Sequence, residues 1–251
     1  MNVQYIQSTQ NKKFKEWRKL LKRRGREKAG FYLIEGPHLV EEALKDPDVV
    51  QELLLNGDQD VVFELYDDIA VYQLETDLFK ELSTTENPQG MIAVCKMKSI
   101  EAPKEVKRVL LLDAVQDPGN LGTLIRTADA AGLDAVYLGD GCVDQYNEKT
   151  LRSAQGSHFH LPVIRLNLFE AIVQLKAQAI PIYGTSLTGT ELSSDLRQSR
   201  FGLLVGNEAN GVHPDLLDQT DFSIKIPIYG QAESLNVAVA AGILMYYLRG
   251  L

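Results

Sequence analysis

A parallel α/β sheet with helices on both faces, preceded by a smaller α/β unit, is the fold class that the sequence predicts. From Val109 onward, apolar segments at 109–115, 135–138, 160–164, 180–183, 201–205 and 222–226 alternate with helical patterns at 120–131, 147–155, 168–178, 213–219 and 235–249. Strands that are apolar almost throughout belong to sheets covered on both faces, and the alternation with helices makes the sheet parallel. Residues 1–98 alternate strand and helix signals over about the size of one domain. A charged stretch with Pro103, residues 99–107, reads as the linker to a second domain at 108–251. At 251 residues and 45% hydrophobic content the chain is long enough for two cores.

In the first unit, residues 10–24 have helical spacing with Phe14, Trp17, Leu20 and Leu21 on the inner side. Phe31–Glu35 reads as a strand closed by Gly36-Pro37, followed by a short helix at 38–44 and a strand at 49–55 that stops at Asn56-Gly57. Acidic helical pieces surround an apolar segment at 71–74, and 91–95 is a last strand. The final segment, 235–249, has the length and Ala/Leu content of a helix but is apolar nearly all round, which requires burial on most faces. Ser234 is a suitable N-cap for it.

The formal net charge is −8, unevenly spread. Residues 12–28 hold ten Lys or Arg against two Glu, a local +8, so the rest of the chain carries −16. A basic stripe on an acidic body fits a phosphate backbone as partner; it also fits the solvated face of an amphipathic helix. No apolar stretch is long enough to span a bilayer, and no charged-then-apolar leader follows Met1. Cys95 and Cys142 lack metal-ligand spacing and support neither a zinc site nor a disulfide framework. Together these features point to the cytoplasm, away from membranes and metals.

Ligands of parallel α/β sheets bind beyond the carboxyl ends of the strands, so the loops after Val115, Val205 and Ile226 are where chemistry is expected. The first runs Asp117-Pro-Gly-Asn-Leu-Gly-Thr-Leu-Ile-Arg126; Asn120 can cap the helix, and Arg126 within it is either a structural ion pair or a ligand clamp. The loop lacks the Lys-Ser/Thr of a phosphate-binding P-loop. The second, Gly206-Asn-Glu-Ala-Asn-Gly-Val212, holds the carboxylate of Glu208 at the end of a buried strand. The third, Ile226-Pro-Ile-Tyr-Gly-Gln-Ala-Glu-Ser-Leu-Asn236, brings Ser234 and the amide of Asn236 into apolar surroundings, where an amide must find partners.

In this order and spacing, Asn120-x-Gly122-x₃-Arg126-x-Ala128-x₃-Gly132, Gly206-Asn-Glu208-x₂-Gly211 and Ile226-Pro-x₂-Gly230-x₃-Ser234-Leu-Asn236-Val closely resemble the three signature motifs of the SpoU (TrmH-like) RNA 2′-O-ribose methyltransferases, of the SPOUT superfamily. Ala209 departs from the Gly common there. More loosely, residues 31–44 are similar to the substrate-binding domain that often precedes the catalytic domain. The resemblance implies a deep trefoil knot in the second domain, which general topology rules would not suggest, and a homodimer. It implies S-adenosylmethionine as cofactor, lined by Gly206, Ile226 and Leu235, and a structured RNA substrate, with ribosomal RNA expected ahead of transfer RNA.

The implied reaction is attack of a ribose 2′-oxygen on a sulfonium methyl, with no metal. It needs near-attack geometry and removal of the hydroxyl proton. The family gives the central role to the first-motif arginine, here Arg126. A guanidinium is a poor base, so Arg126 is expected to clamp the target phosphate and stabilise the developing alkoxide, with Asn120, Glu208, Ser234 and Asn236 positioning it and the ribose. The alternatives are an RNA-binding assembly factor of the same fold without transferase activity, and a doubly wound oxidoreductase, which would need a Gly-x-Gly-x-x-Gly after its first strand.

Overall fold

The computed structural model describes residues 3–57, 59–61 and 63–250. Met1, to which the leader reading is anchored, lies outside them, as does Leu251. Eleven strands and ten helices form two compact units among the described residues.

The first unit holds β1 (Val3–Ile6), α1 (Lys12–Leu20), α2 (Arg23–Ala29), β2 (Phe31–Glu35), α3 (Pro37–Leu44), β3 (Val50–Asn56), β4 (Ala70–Leu74), α4 (Thr76–Leu82) and β5 (Met91–Lys96). Its sheet runs β1-β4-β3-β5-β2, with β4 parallel to β1 and β3, and β5 antiparallel to β2 and β3. Side chains alternate across it as a pleated strand requires. Leu53, Leu55, Met91, Ala93 and Cys95 pack with Leu39, Val40 and Ala43 of α3. Leu54, Ile92 and Val94 pack with Phe14 and Trp17 of α1 and with Leu78 and Phe79 of α4.

Two findings differ from the sequence reading. The expected single helix at 10–24 is two helices, α1 ending at Leu20 and α2 starting at Arg23. Tyr146–Phe159, read as part of the second domain, belongs to the first unit. Leu151 of α6 (Glu148–Ala154) is buried in the core of that unit with α3, Arg152 donates to Thr84 Oγ1 at 2.7 Å, and the Tyr146 ring lies 4.6 Å from that of Tyr32. Spacing alone could not reveal an excursion whose apolar residues fill a core built by residues 100 positions earlier. α7 (Ser157–His160) follows it, where a strand was expected to begin at His160.

The second unit comprises residues 100–145 and 160–251. Its strands are β6 (Arg108–Leu112), β7 (Ala135–Leu138), β8 (Val163–Arg165), β9 (Ile182–Glu191), β10 (Phe201–Val205) and β11 (Phe222–Lys225); its helices are α5 (Pro118–Ala130), α8 (Leu168–Ala177), α9 (Pro214–Leu217) and α10 (Val237–Arg249). All pairings in the sheet β11-β9-β10-β6-β7-β8 are parallel, as the apolar strands predict. Val109 and Leu111 pack with α8 and α9, while α5 and α10 lie against each other on β7 and β10. β6, first in the chain, sits inside the sheet between β7 and β10, so the chain order reverses there. Such a switch point opens a crevice at the carboxyl ends of the two strands, the ends that carry the first two motif loops.

Candidate active site

The residues that follow β6 and β10 converge on one carboxylate. Glu208 accepts from the backbone N–H of Gln116 at 3.2 Å, that of Asp117 at 3.1 Å and the Asn120 side-chain amide at 3.1 Å. Asn120 is not the helix cap. Asp117 is, its Oδ1 accepting from Asn120 N at 2.8 Å with Pro118 opening the first turn. That leaves the Asn120 amide free to reach Glu208 with its Nδ2 and to accept from Asn236 Nδ2 at 2.9 Å with its Oδ1. Asn236, in place of Ser234, is the N-cap of α10: its Oδ1 accepts from Ala238 N at 2.9 Å and Val239 N at 3.3 Å. One amide thus starts a helix and joins the relay Glu208–Asn120–Asn236, which ties the three motifs together.

Charge and hydrogen bonding compete at Glu208. Desolvation pushes its carboxyl up, but the Asn120 amide and the backbone N–H groups of Gln116 and Asp117 outweigh it, and the net shift is below the ordinary 4.5. Glu208 is therefore an ionised acceptor at neutral pH. It is too weak a base to remove a ribose proton efficiently, and its oxygens are engaged by the Gln116, Asp117 and Asn120 donors.

The turn around Glu208 is tightly built. Asn207 and Gly211 exchange two backbone hydrogen bonds of 2.9 Å, and Asn207 Oδ1 accepts from Ala209 N and Asn210 N. Asn207 Nδ2 donates to the carbonyl of Ala114 at 2.9 Å. A Cβ on Gly206 would lie 2.1 Å from the Gly211 carbonyl carbon and the Val212 nitrogen, so only glycine fits there. Ala209 has no positive φ and is accommodated despite its departure from the family pattern.

The relay borders an open cavity of ≈ 720 Å³ lined by all three loops and by 185–187 of β9. Gly206, Asn120, Glu208, Ser234, Leu235 and Asn236 are on its wall. Ser234 is exposed there and makes no hydrogen bond among the described residues, so its hydroxyl is available to a ligand. Leu187, Val212 and Leu217 supply apolar wall. Size, mixed lining and the closely approached backbone at Gly206 fit a nucleoside-bearing cofactor such as S-adenosylmethionine.

Two expected site residues are elsewhere. Ile226 is half-buried but does not line the cavity. Arg126 is exposed on α5, lines no part of the cavity, and forms no ion pair or hydrogen bond among the described residues. Sequence reasoning missed three supports. Ala114, at φ 53°, places the 113–117 loop at a cost of about 1–3 kcal/mol. Asn207 holds Ala114. Arg165 spans the carbonyls of Gly139, Cys142 and Val143 at 3.0–3.1 Å, and Val143 N donates to Val115 O. The positive φ and the remote guanidinium leave no sequence signal; the asparagine beside Glu208 was a visible one.

Comparison with known proteins agrees with the motifs. Residues 107–246 match the SpoU rRNA Methylase family and residues 11–93 the MRM3-like substrate binding domain. The chain is 53% identical over 249 residues to the 23S rRNA (guanosine(2553)-2′-O)-methyltransferase RlmP of Bacillus subtilis (strain 168), covering 99% of this chain and 100% of the relative. It is 30% identical over 260 residues to the 23S rRNA (uridine(2479)-2′-O)-methyltransferase of Streptomyces viridochromogenes, covering 95% and 90%. The crystal structure of the SpoU methyltransferase AviRb from Streptomyces viridochromogenes in complex with AdoMet superimposes with a TM-score of 0.85 at 28% identity, over 96% of this chain and 97% of that one. An AdoMet-bound rRNA methyltransferase from Sinorhizobium meliloti gives the same score and identity over 98% and 97%. The chain belongs to the SpoU rRNA methylase family.

Proposed function

We propose that this protein transfers the methyl group of S-adenosylmethionine to a ribose 2′-oxygen of 23S ribosomal RNA, at the guanosine for which its Bacillus subtilis relative is named. The observation that carries the reading is the relay Glu208–Asn120–Asn236, which joins three distant motifs on the wall of one cavity. Full-length likeness to RlmP supports the substrate. The comparisons give the non-enzymatic assembly-factor reading no support.

The cofactor supplies an electrophilic methyl on a sulfonium. Gly206 and Leu235 hold it in this reading, with Ile226 in a supporting position behind the third loop. Asn120 and Asn236, whose amides are fixed by Glu208 and by the start of α10, keep the third loop in register with the first. Ser234, with its free hydroxyl, orients the ribose. Arg126 clamps the target phosphate and stabilises charge on the 2′-oxygen. The knot belongs to the same reading: the connection 226–236 threads the turn 206–212.

Arg126 must then reach a cavity that it does not line in its own chain. A homodimer resolves this. α10 exposes Val239 and Ile243 (53% and 42% exposed) one turn apart beside α5, with the exposed Leu235 (37%) just ahead of its cap, an apolar surface suited to pairing with a second copy. In such a pair Arg126 serves the partner's cavity. Mixing inactive Arg126→Ala with inactive Glu208→Ala protein restores transfer through mixed dimers; no recovery, with mixed dimers demonstrated, would count against the arrangement.

The first unit holds the RNA, and action on ribosomal RNA places the protein in the cytoplasm. No helix of the described residues is long and apolar enough to cross a membrane, and none of their His, Cys, Asp and Glu groups could hold a metal ion. The test is transfer of labelled methyl to rRNA from a strain lacking the gene, followed by mapping. Label at that guanosine is expected. Label in transfer RNA alone, or no transfer to either naked rRNA or ribosomal particles, would refute the proposal.

A further inference from the structure

The start of the first unit carries the densest cluster of positive charge in the chain, on two short crossed helices. Phe14, Trp17 and Leu20 are buried in the core, so the aromatic residues of the basic stripe are not stacking platforms. What remains outside is charge. Four of the ten cations are occupied: Lys13 pairs with Glu52, Arg18 with Glu81 at 3.7 Å and Arg23 with Glu27 at 2.7 Å, and the buried Arg26 donates to the Leu20 carbonyl at 2.9 Å. The other six, Lys12, Lys15, Lys19, Lys22, Arg24 and Lys28, are exposed and have no carboxylate partner among the described residues.

Their arrangement is fixed. Lys12, Lys15 and Lys19 repeat at i, i+3 and i+7, one face of α1. α2 then crosses the end of α1 so closely that a Cβ on Gly25 would lie 1.9 Å from the Lys19 carbonyl oxygen. Arg26 closes the same corner from inside by capping Leu20. Lys22, Arg24 and Lys28 continue the positive surface from the turn onto α2. The cations are thus presented on a built corner and not on a loose tail.

We propose that this α1–α2 corner is a preformed docking surface for RNA phosphates, and that it fixes how the RNA substrate is held without reading its sequence. The proposal rests on the reading of the protein as an RNA methyltransferase and names the part of the first unit that makes the contact. Six cations within 17 residues repel one another in the free protein, and a polyanion relieves that repulsion. The −16 on the rest of the chain disfavours non-specific RNA contact elsewhere, so sequence-independent phosphate binding concentrates at the corner. Phosphate contacts position without selecting bases. An anionic membrane is a poorer occupant, because residues 12–29 expose no large hydrophobic side chain that could enter a lipid interface.

The test uses the full-length protein and a 23S rRNA transcript, with affinity measured at roughly 50 to 200 mM monovalent salt. One variant carries Lys12→Gln, Lys15→Gln and Lys19→Gln, and a second carries Lys22→Gln, Arg24→Gln and Lys28→Gln. Each triple is expected to lower the slope of log K against log salt by about 2 to 3, at about 0.7–0.9 per phosphate contact. Each also raises the KM for RNA while leaving kcat at saturation and cofactor binding unchanged. Arginine at the same three lysines of the first set restores the slope. A control that removes the paired Arg18 and Arg23 changes it little. An unchanged slope in both triples overturns the proposal while leaving methyl transfer standing. So does loss of binding to phosphatidylserine vesicles with rRNA affinity intact. Wild-type protein that shows the salt-dependent, triple-sensitive RNA binding but transfers no methyl sinks the enzymatic reading and keeps the docking surface.

Discussion

Glu35 and Glu208 occupy comparable places. Each stands at or just beyond the end of a strand and gathers donors from a loop far away in sequence. Glu35 accepts from the hydroxyls of Ser83 and Thr85 at 2.8–2.9 Å and the N–H of Thr84 at 3.4 Å. Glu208 accepts from two backbone N–H groups and an amide. The space beside them differs: ≈ 20 Å³ at Glu35, room for about one water, against ≈ 720 Å³ at Glu208. A carboxylate that collects donors is a fastening in both units, and only the cavity turns one of them into part of a site.

Replacing each glutamate by glutamine tests this difference most severely. Glu208→Gln leaves one oxygen for three donors and turns an NH₂ towards them, so the relay loses its anchor and methyl transfer falls about 10²-fold. Glu35→Gln lowers unfolding stability by about 1–2 kcal/mol and leaves transfer within about twofold at temperatures where the protein is folded. Equal losses of kcat in the two variants would mean that the cavity does not distinguish them.

Asn236 allows cap and relay to be separated. Asn236→Asp keeps an oxygen for the N–H groups of Ala238 and Val239 and suits a helix N-terminus. It removes the donor to Asn120 Oδ1 and sets a carboxylate against that oxygen. Thermal stability should stay within about 0.5 kcal/mol while kcat drops about tenfold. Asn236→Ala adds the loss of the cap, about 1 kcal/mol. A Tm loss in the Asp variant equal to that in Ala would assign Asn236 to structure alone.

The sequence made the second unit legible for a physical reason. Its central strands β10, β6 and β7 are buried on both faces, so pattern and fold agree from Phe201–Val205 to Ala135–Leu138. That Asn120, Glu208, Ser234, Asn236, Gly206 and Leu235 come to one cavity wall was legible because the motif spacing places them at strand ends and helix starts. Arg126 and Ile226 show its limit: the spacing places them on an element, but not on the cavity wall. The α1–α2 break at residues 21–22 was hidden because Lys19-Leu-Leu-Lys22 continues the helical spacing of the residues before it, and the 146–159 excursion because its apolar residues find their partners in a part of the same unit that is distant in sequence.

Acid titration adds a milder probe of Glu208. Its folded pKa is depressed below 4.5, so its contribution to stability is complete above that value and is lost as pH falls through the folded pKa. The stability difference between wild type and Glu208→Gln should be constant from neutral pH down to about 5 and shrink below it. A difference that shrank between pH 6 and 8 would show a raised pKa and reopen a role for Glu208 as a base.

The smallest effect is expected at Arg165, which touches neither the cavity nor the relay. Its guanidinium holds Gly139, Cys142 and Val143, Val143 holds Val115, and the next two residues donate to Glu208. Lysine offers a point charge where the planar fork reaches three carbonyls, so Arg165→Lys loosens the 139–143 loop more than it unfolds the sheet. Amide exchange in 139–143 should rise, kcat fall a few-fold and the KM for cofactor stay near its wild-type value. Faster exchange with unchanged kcat would show that the 113–117 loop holds Glu208 without help from its neighbour, and the chain of contacts would then end at Val115.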